Sequence, residues 1–210
     1  MFRRRDNTLA ADKAVAILYP WAFVLLAFGD TFHLGFRLLG FARGDLDFST
    51  PVLGKSLGLV GVGAFATALT MTVFYVLMLM IWKRRYQKDY DLAGIVIIIA
   101  FVVRFIVMLF PANEWNNAVP PQPWGFYRNL PLMVVGWGIV WLMLRDSAPM
   151  KDRPVRLTGL MIVISFLCYT PVILWVDKIP ALGMLMIPKT IAYVAIAFIG
   201  NHFFFRKNAA

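Results

Sequence analysis

Acidic residues are scarce here: 11 Asp and Glu stand against 21 Lys and Arg in 210 residues, and all four types make up only 15% of the chain. Soluble domains average about 25% charged residues, so a water-facing domain is not expected. Cys168 is the single cysteine, which excludes an internal disulfide; inside an apolar run it reads as a small packing residue. The two histidines, His33 and His202, fall at opposite ends of the expected topology, so they cannot share one haem. Nor are there paired Cys and His ligands for zinc. Gly54-Lys55-Ser56 echoes a phosphate-binding loop, but Ser49 stands where its first glycine belongs. No metal and no cofactor is expected.

What fills the chain instead is apolar: 60% hydrophobic residues and a mean hydropathy of +0.72. A spanning helix needs about 20 mostly apolar residues. The expected fold is an all-α polytopic membrane bundle, one membrane domain over 1–210, with helices near 14–39, 53–82, 92–110, 124–144, 155–175 and 180–205. The first apolar run has no small-residue cleavage site and is read as a retained helix. Gly54, Gly58 and Gly61 are expected to let two helices approach closely.

The net charge of +10 invites a nucleic-acid reading, yet the basic residues sit in short clusters beside the apolar runs. Such clusters orient helices and meet lipid headgroups. The lipid bilayer, not nucleic acid, is the expected partner. Arg3, Arg4, Arg5, the Lys83–Lys88 segment, Arg145, Lys151, Arg153, Arg156, Arg206 and Lys207 fall on one side. The opposite connections, ARGDLDFSTP, ANEWNNAVPPQP and VDKIP, are poorer in Lys and Arg. The positive-inside rule then gives cytoplasmic termini and a multi-pass protein of the inner (plasma) membrane.

Against this background, ionisable residues inside the apolar runs stand out. A charge near the bilayer centre costs about 2.5–3.5 kcal/mol on insertion scales, so such residues usually face a partner or a watery cavity. Asp30, His33 and Arg37 share one face of the first helix at i, i+3 and i+7. Arg104 lies in the third, Lys189 and Tyr193 at i and i+4 in the sixth, and Ser165 and Tyr169 at the same spacing in the fifth. Arg128 and Asn129 begin the fourth, and Glu114 follows Pro111 in an outer loop. Pro188 is expected to break the sixth helix beside Lys189. All these groups fall in the outer half of the membrane, where the cations outnumber the acids, and a missing anion is implied.

The leading expectation is an outward-facing polar cavity that binds and transports a small anionic or zwitterionic solute. Arg104 and Lys189 would hold the anion, with Arg37, Glu114, Arg128, Asn129, Tyr169 and Tyr193 lining the site. Two alternatives stand beside it. One is an intramembrane enzyme acting on a lipid or isoprenoid phosphate from the outer leaflet, with Asp30 and His33 as its acid–base pair. The other is an accessory membrane subunit whose charges are purely structural; an oligomer is compatible with all three.

Overall fold

The computed structural model describes residues 10–52, 54–176 and 178–205, without the side chains of 10–14, 180 and 205. Arg3–Arg5, Arg206 and Lys207 therefore lie outside the described residues. Of the described residues 79% are helical; the fold is all-α, and among these residues are six helices long and apolar enough to cross a membrane, as a multi-pass membrane protein requires. In order they are α1 (Ala10–Arg43), α2 (Leu59–Tyr86), α3 (Leu92–Leu109), the short α4 (Trp124–Tyr127) followed by α5 (Leu130–Ser147), α6 (Arg153–Trp175) and α7 (Met186–Phe205).

Three departures from the sequence reading have local causes. Residues 54–58 are not the start of the second helix. Ser49–Val52 (β1) and Lys55–Gly58 (β2) pair antiparallel, and Gly54 takes the left-handed conformation at φ +76° that the tight turn needs. The fourth span is interrupted at Arg128–Asn129, and Pro131 opens α5, where its missing N–H costs no helical bond. The sixth begins as a 3-10 helix over Pro180–Leu185. Pro188 then falls in the first turn of α7, where backbone N–H groups have no partner in any case. It starts the helix rather than breaking it.

Each helix is oriented by what it buries. On α3, Ile95, Val96, Ile99, Val102, Val103 and Ile106 face outward, while Gly94, Ile97, Phe101, Arg104 and Met108 form a buried stripe at three- and four-residue spacing. Arg104 thus occupies a core position. The core itself is aromatic, built on Tyr19, Phe74, Tyr75, Trp82 and Phe166 with Met78. Gly29 and Gly63 bring α1 against α2: a Cβ on Gly29 would lie 1.9 Å from Thr70 Oγ1. Gly58 and Gly61 do not serve two helices. Their missing side chains admit the backbone of Trp115 and Asn116, so α2 is packed against the α3–α4 loop.

The two ends of the bundle differ. At one end, which holds the α2–α3 and α5–α6 turns, acids knit the loops together. Asp146 accepts hydrogen bonds from Trp82 Nε1 (2.9 Å), Lys88 Nζ (2.8 Å) and Arg145 Nε (3.0 Å). Asp152 accepts from Arg85 Nε at 2.9 Å, and Asp91 pairs with Arg145. The end of α7 lies here too, with Phe204 beneath the Arg85 guanidinium. At the other end, the hairpin meets the α3–α4 loop through Asp47 Oδ1, which accepts from Ala118 N at 3.3 Å.

Candidate functional site

In the half of the bundle nearer the hairpin, every span contributes a polar group. Two centres form, and they behave differently.

The first is built around Arg104. Its side chain is 2% exposed, yet no carboxylate of the described residues lies in ion-pair contact with it. Its donors meet neutral oxygens instead. Nε donates to Thr72 Oγ1 at 2.7 Å, Nη1 to the Arg128 carbonyl at 2.5 Å, and Nη2 to the Ala68 carbonyl at 3.5 Å. The Arg128 carbonyl is within reach because the chain breaks there between α4 and α5. Arg104 therefore ties α2 and α3 to that junction and commits three of a guanidinium's five N–H donors. Asn129 braces the same break: Nδ2 donates to the Gly125 carbonyl at 2.8 Å, and Oδ1 accepts from Tyr169 Oη at 3.1 Å.

The second centre is Lys189, 9% exposed. Its ammonium stands 4.2 Å from the ring centroid of Tyr169 and 5.7 Å from that of Tyr193. Such cation–π contacts stabilise a desolvated cation by about 2 kcal/mol. Among the described residues it makes no hydrogen bond and no ion pair. Asp30 attracts it from α1 without touching it, and Arg104 repels it. Tyr169 is the wall between the two centres. Behind Lys189, Tyr193 Oη and Tyr75 Oη are 2.7 Å apart, and Tyr193 also reaches Met71 Sδ.

Polar atoms on α1 towards Lys189 are left unpaired among the described residues. His33 Nδ1 and Arg37 Nε are buried without a partner, and on α6 Ser165 is fully buried beside the Tyr193 hydroxyl. His33 therefore makes no dyad with Asp30 through Nδ1. Electrostatically, His33 stands between Arg37 and Lys189. The α1 face that carries these groups is informative. Tyr19, Ala22 and Leu26 on it are buried, but Asp30, His33 and Arg37, further along the same face, are only half-buried. The interior side of α1 is thus less fully covered in the half near the hairpin. Towards the other end it is closed by Tyr19, whose Oη bonds Thr158 Oγ1 at 3.0 Å and which fills the space Gly200 leaves on α7.

Two residues expected at the site are placed elsewhere or otherwise engaged. Glu114 is exposed on the α3–α4 loop, in a left-handed conformation at φ 45°, and accepts from Asn117 Nδ2 at 2.6 Å. It makes no ion pair with Arg128, whose guanidinium lies 4.2 Å over the Trp115 ring. Conversely, Thr72 and Tyr75 of α2 belong to the two centres but were not foreseen. Their signal was present: polar residues at i and i+3 within an otherwise apolar run.

The fold and site define a class: a six-span helical membrane bundle with a buried, cation-rich centre displaced towards one end. Compared with protein-family models, curated proteins and solved structures, the chain matches none.

Proposed function

We propose that the chain binds a small anionic or zwitterionic solute at the Lys189 centre and transports it across the membrane. One observation carries this reading: the Lys189 ammonium is buried against aromatic faces, with no acceptor and no carboxylate of the described residues in contact. A desolvated cation left so is costly, and an incoming anion would supply the missing partner. Half-buried Asp30, His33 and Arg37 line the approach. Arg104 contributes its field from behind Tyr169, with most of its hydrogen-bonding capacity already used. The positively charged loops support cytoplasmic termini by the positive-inside rule, an orientation that would turn the hairpin half of the bundle outward at the inner (plasma) membrane.

The test is thermal unfolding of purified protein in nanodiscs with a panel of organic anions and amino acids, for wild type and Lys189→Met. The expected result is stabilisation of the wild type by at least one anion and none of the variant, whose own melting temperature stays close to wild type. A wild type that no anion stabilises, with a variant that melts much earlier, overturns the reading in favour of an accessory subunit with structural charges. Orientation is tested separately. A cysteine at position 116 should react with an impermeant thiol reagent in intact cells, and one in the Lys83–Lys88 segment should not; reversed labelling would turn the site to the inner leaflet.

A second reading is favoured by the aromatic packing of Tyr19 against Phe23 and Phe204, with ring centroids 5.5 Å apart, which closes the other half of the bundle. A one-sided pocket suits an enzyme acting on a lipid or isoprenoid phosphate, which needs no exit to the far side. Release of phosphate from such lipids by the purified protein would select it over transport.

A further inference from the structure

We infer that the ligand of the Lys189 centre is a doubly charged oxyanion, of the phosphate-monoester or dicarboxylate class, rather than a monoanion or a zwitterion. This deepens the anion-binding reading and rests on it. The argument is one of charge and of vacant donors. Four cations, Arg37, Arg104, Arg128 and Lys189, are electrostatically linked in series through His33 and Tyr169, and among the described residues Asp30 is the one carboxylate linked with them. The described acids on the loops at this end are engaged elsewhere: Glu114 accepts from Asn117 Nδ2, Asp45 from Asp47 N and Asp47 from Ala118 N. In a medium of low dielectric, charges within several ångströms of one another interact strongly, so a single negative charge leaves most of this excess uncompensated.

The donors point the same way. Arg104 is occupied with neutral oxygens and Arg128 stacks on Trp115, so these two supply field rather than contacts. Among the described residues, the groups without a hydrogen-bond partner are the Lys189 ammonium, His33 Nδ1 and Arg37 Nε. Arg37 stands one helical turn beyond His33, towards the hairpin end of α1. There are thus two cationic handles, Lys189 deep and Arg37 shallow, with an imidazole between them. A dianion with several oxygens can engage both handles, whereas a monoanion satisfies one. A zwitterion would place its own cation in a field that is already positive, with only Asp30 to receive it.

Ligand pairs of matched size test this on the full-length protein in nanodiscs at pH 8 and fixed ionic strength, which keeps screening constant. Methyl phosphate, whose second pKa of about 6 makes it a dianion there, is set against dimethyl phosphate, a monoanion. Succinate is set against its monomethyl ester, and glycine betaine is the zwitterion. Affinities come from the concentration dependence of the melting temperature. At least one dianion should bind tenfold or more tighter than its singly charged partner and than betaine. Arg37→Gln should weaken dianion binding more than monoanion binding and so erase that preference, and Arg37→Lys should restore part of it. Equal binding within a pair, or tightest binding of betaine, overturns the inference while leaving an anion or zwitterion site intact. If none of the five ligands binds, the inference fails together with the reading beneath it.

Discussion

Arg104→Met separates a structural cation from a ligand-binding one, and its size can be worked from the bonds. The substitution keeps an unbranched apolar side chain in the buried stripe of α3 but removes the guanidinium. Two short hydrogen bonds from a charged donor are lost, to Thr72 Oγ1 and the Arg128 carbonyl; the contact to Ala68 at 3.5 Å adds little. Hydrogen bonds to charged groups contribute about 1.5–3 kcal/mol each. Thr72 is not orphaned, since its hydroxyl also donates to the Ala68 carbonyl at 2.7 Å. The Arg128 carbonyl has no such reserve at a chain break within a span, and leaving it unpaired costs about 1–3 kcal/mol. Against this stands the relief of no longer burying a charge. The net expectation is a loss of about 3 kcal/mol, or on the order of 10 °C in melting temperature for a chain of this size. Arg104→Lys should recover little of it, because an ammonium is a point charge and cannot span three oxygens on different segments. The assay is thermal unfolding in nanodiscs, run beside Lys189→Met, which gives up no hydrogen bond and should shift little. If Arg104→Met melts within about 2 °C of wild type and loses anion stabilisation, Arg104 is a ligand donor and the structural assignment is wrong.

Three further perturbations probe the frame around the site. Asp146→Asn weakens a carboxylate that serves Trp82, Lys88 and Arg145 together, and denaturation should show a loss of about 3 kcal/mol, as for a broken buried pair. Asp91 caps α3, and its carboxyl is held below the usual range first by the Gly94 N–H and then by Arg145. A depressed carboxyl adds stability that is present above its unfolded value of 3.8 and is lost as pH falls through the lower folded value. Because Asp91 is largely exposed, this amounts to a few tenths of a kcal/mol, seen as a shallower acid limb in Asp91→Asn, whereas Asp91→Ala loses the cap and about 1 kcal/mol at neutral pH. Gly61→Ala sets a Cβ 2.1 Å from the Trp115 carbonyl oxygen, so the loop must move and melting should reveal overpacking of about 1–3 kcal/mol.

The spans were legible because a membrane helix is specified by length and hydropathy alone, and α3 shows this best: expected near 92–110, it runs Leu92–Leu109. The hairpin was not legible for the same reason. Averaged over a span, Val52, Leu53 and Leu57 read as helix, although Pro51 and Gly54 are a strand-edge residue and a turn residue. At the site, Asp30, His33 and Arg37 follow one another along one face of α1, and Arg104 and Lys189 are both buried. What charge spacing cannot reveal is how many neutral acceptors a fold exposes. The break at Arg128–Asn129 offers a carbonyl, and Thr72 a hydroxyl, and together they relieve Arg104 of any need for an acid. The side chains themselves held a hint of that division. A planar guanidinium can distribute its charge over several oxygens from different segments, while an ammonium on a flexible stem is a compact charge that wants one strong partner. Two cations at similar depth therefore pose different questions. For Arg104 the question is which helices it joins, and for Lys189 it is what partners its charge.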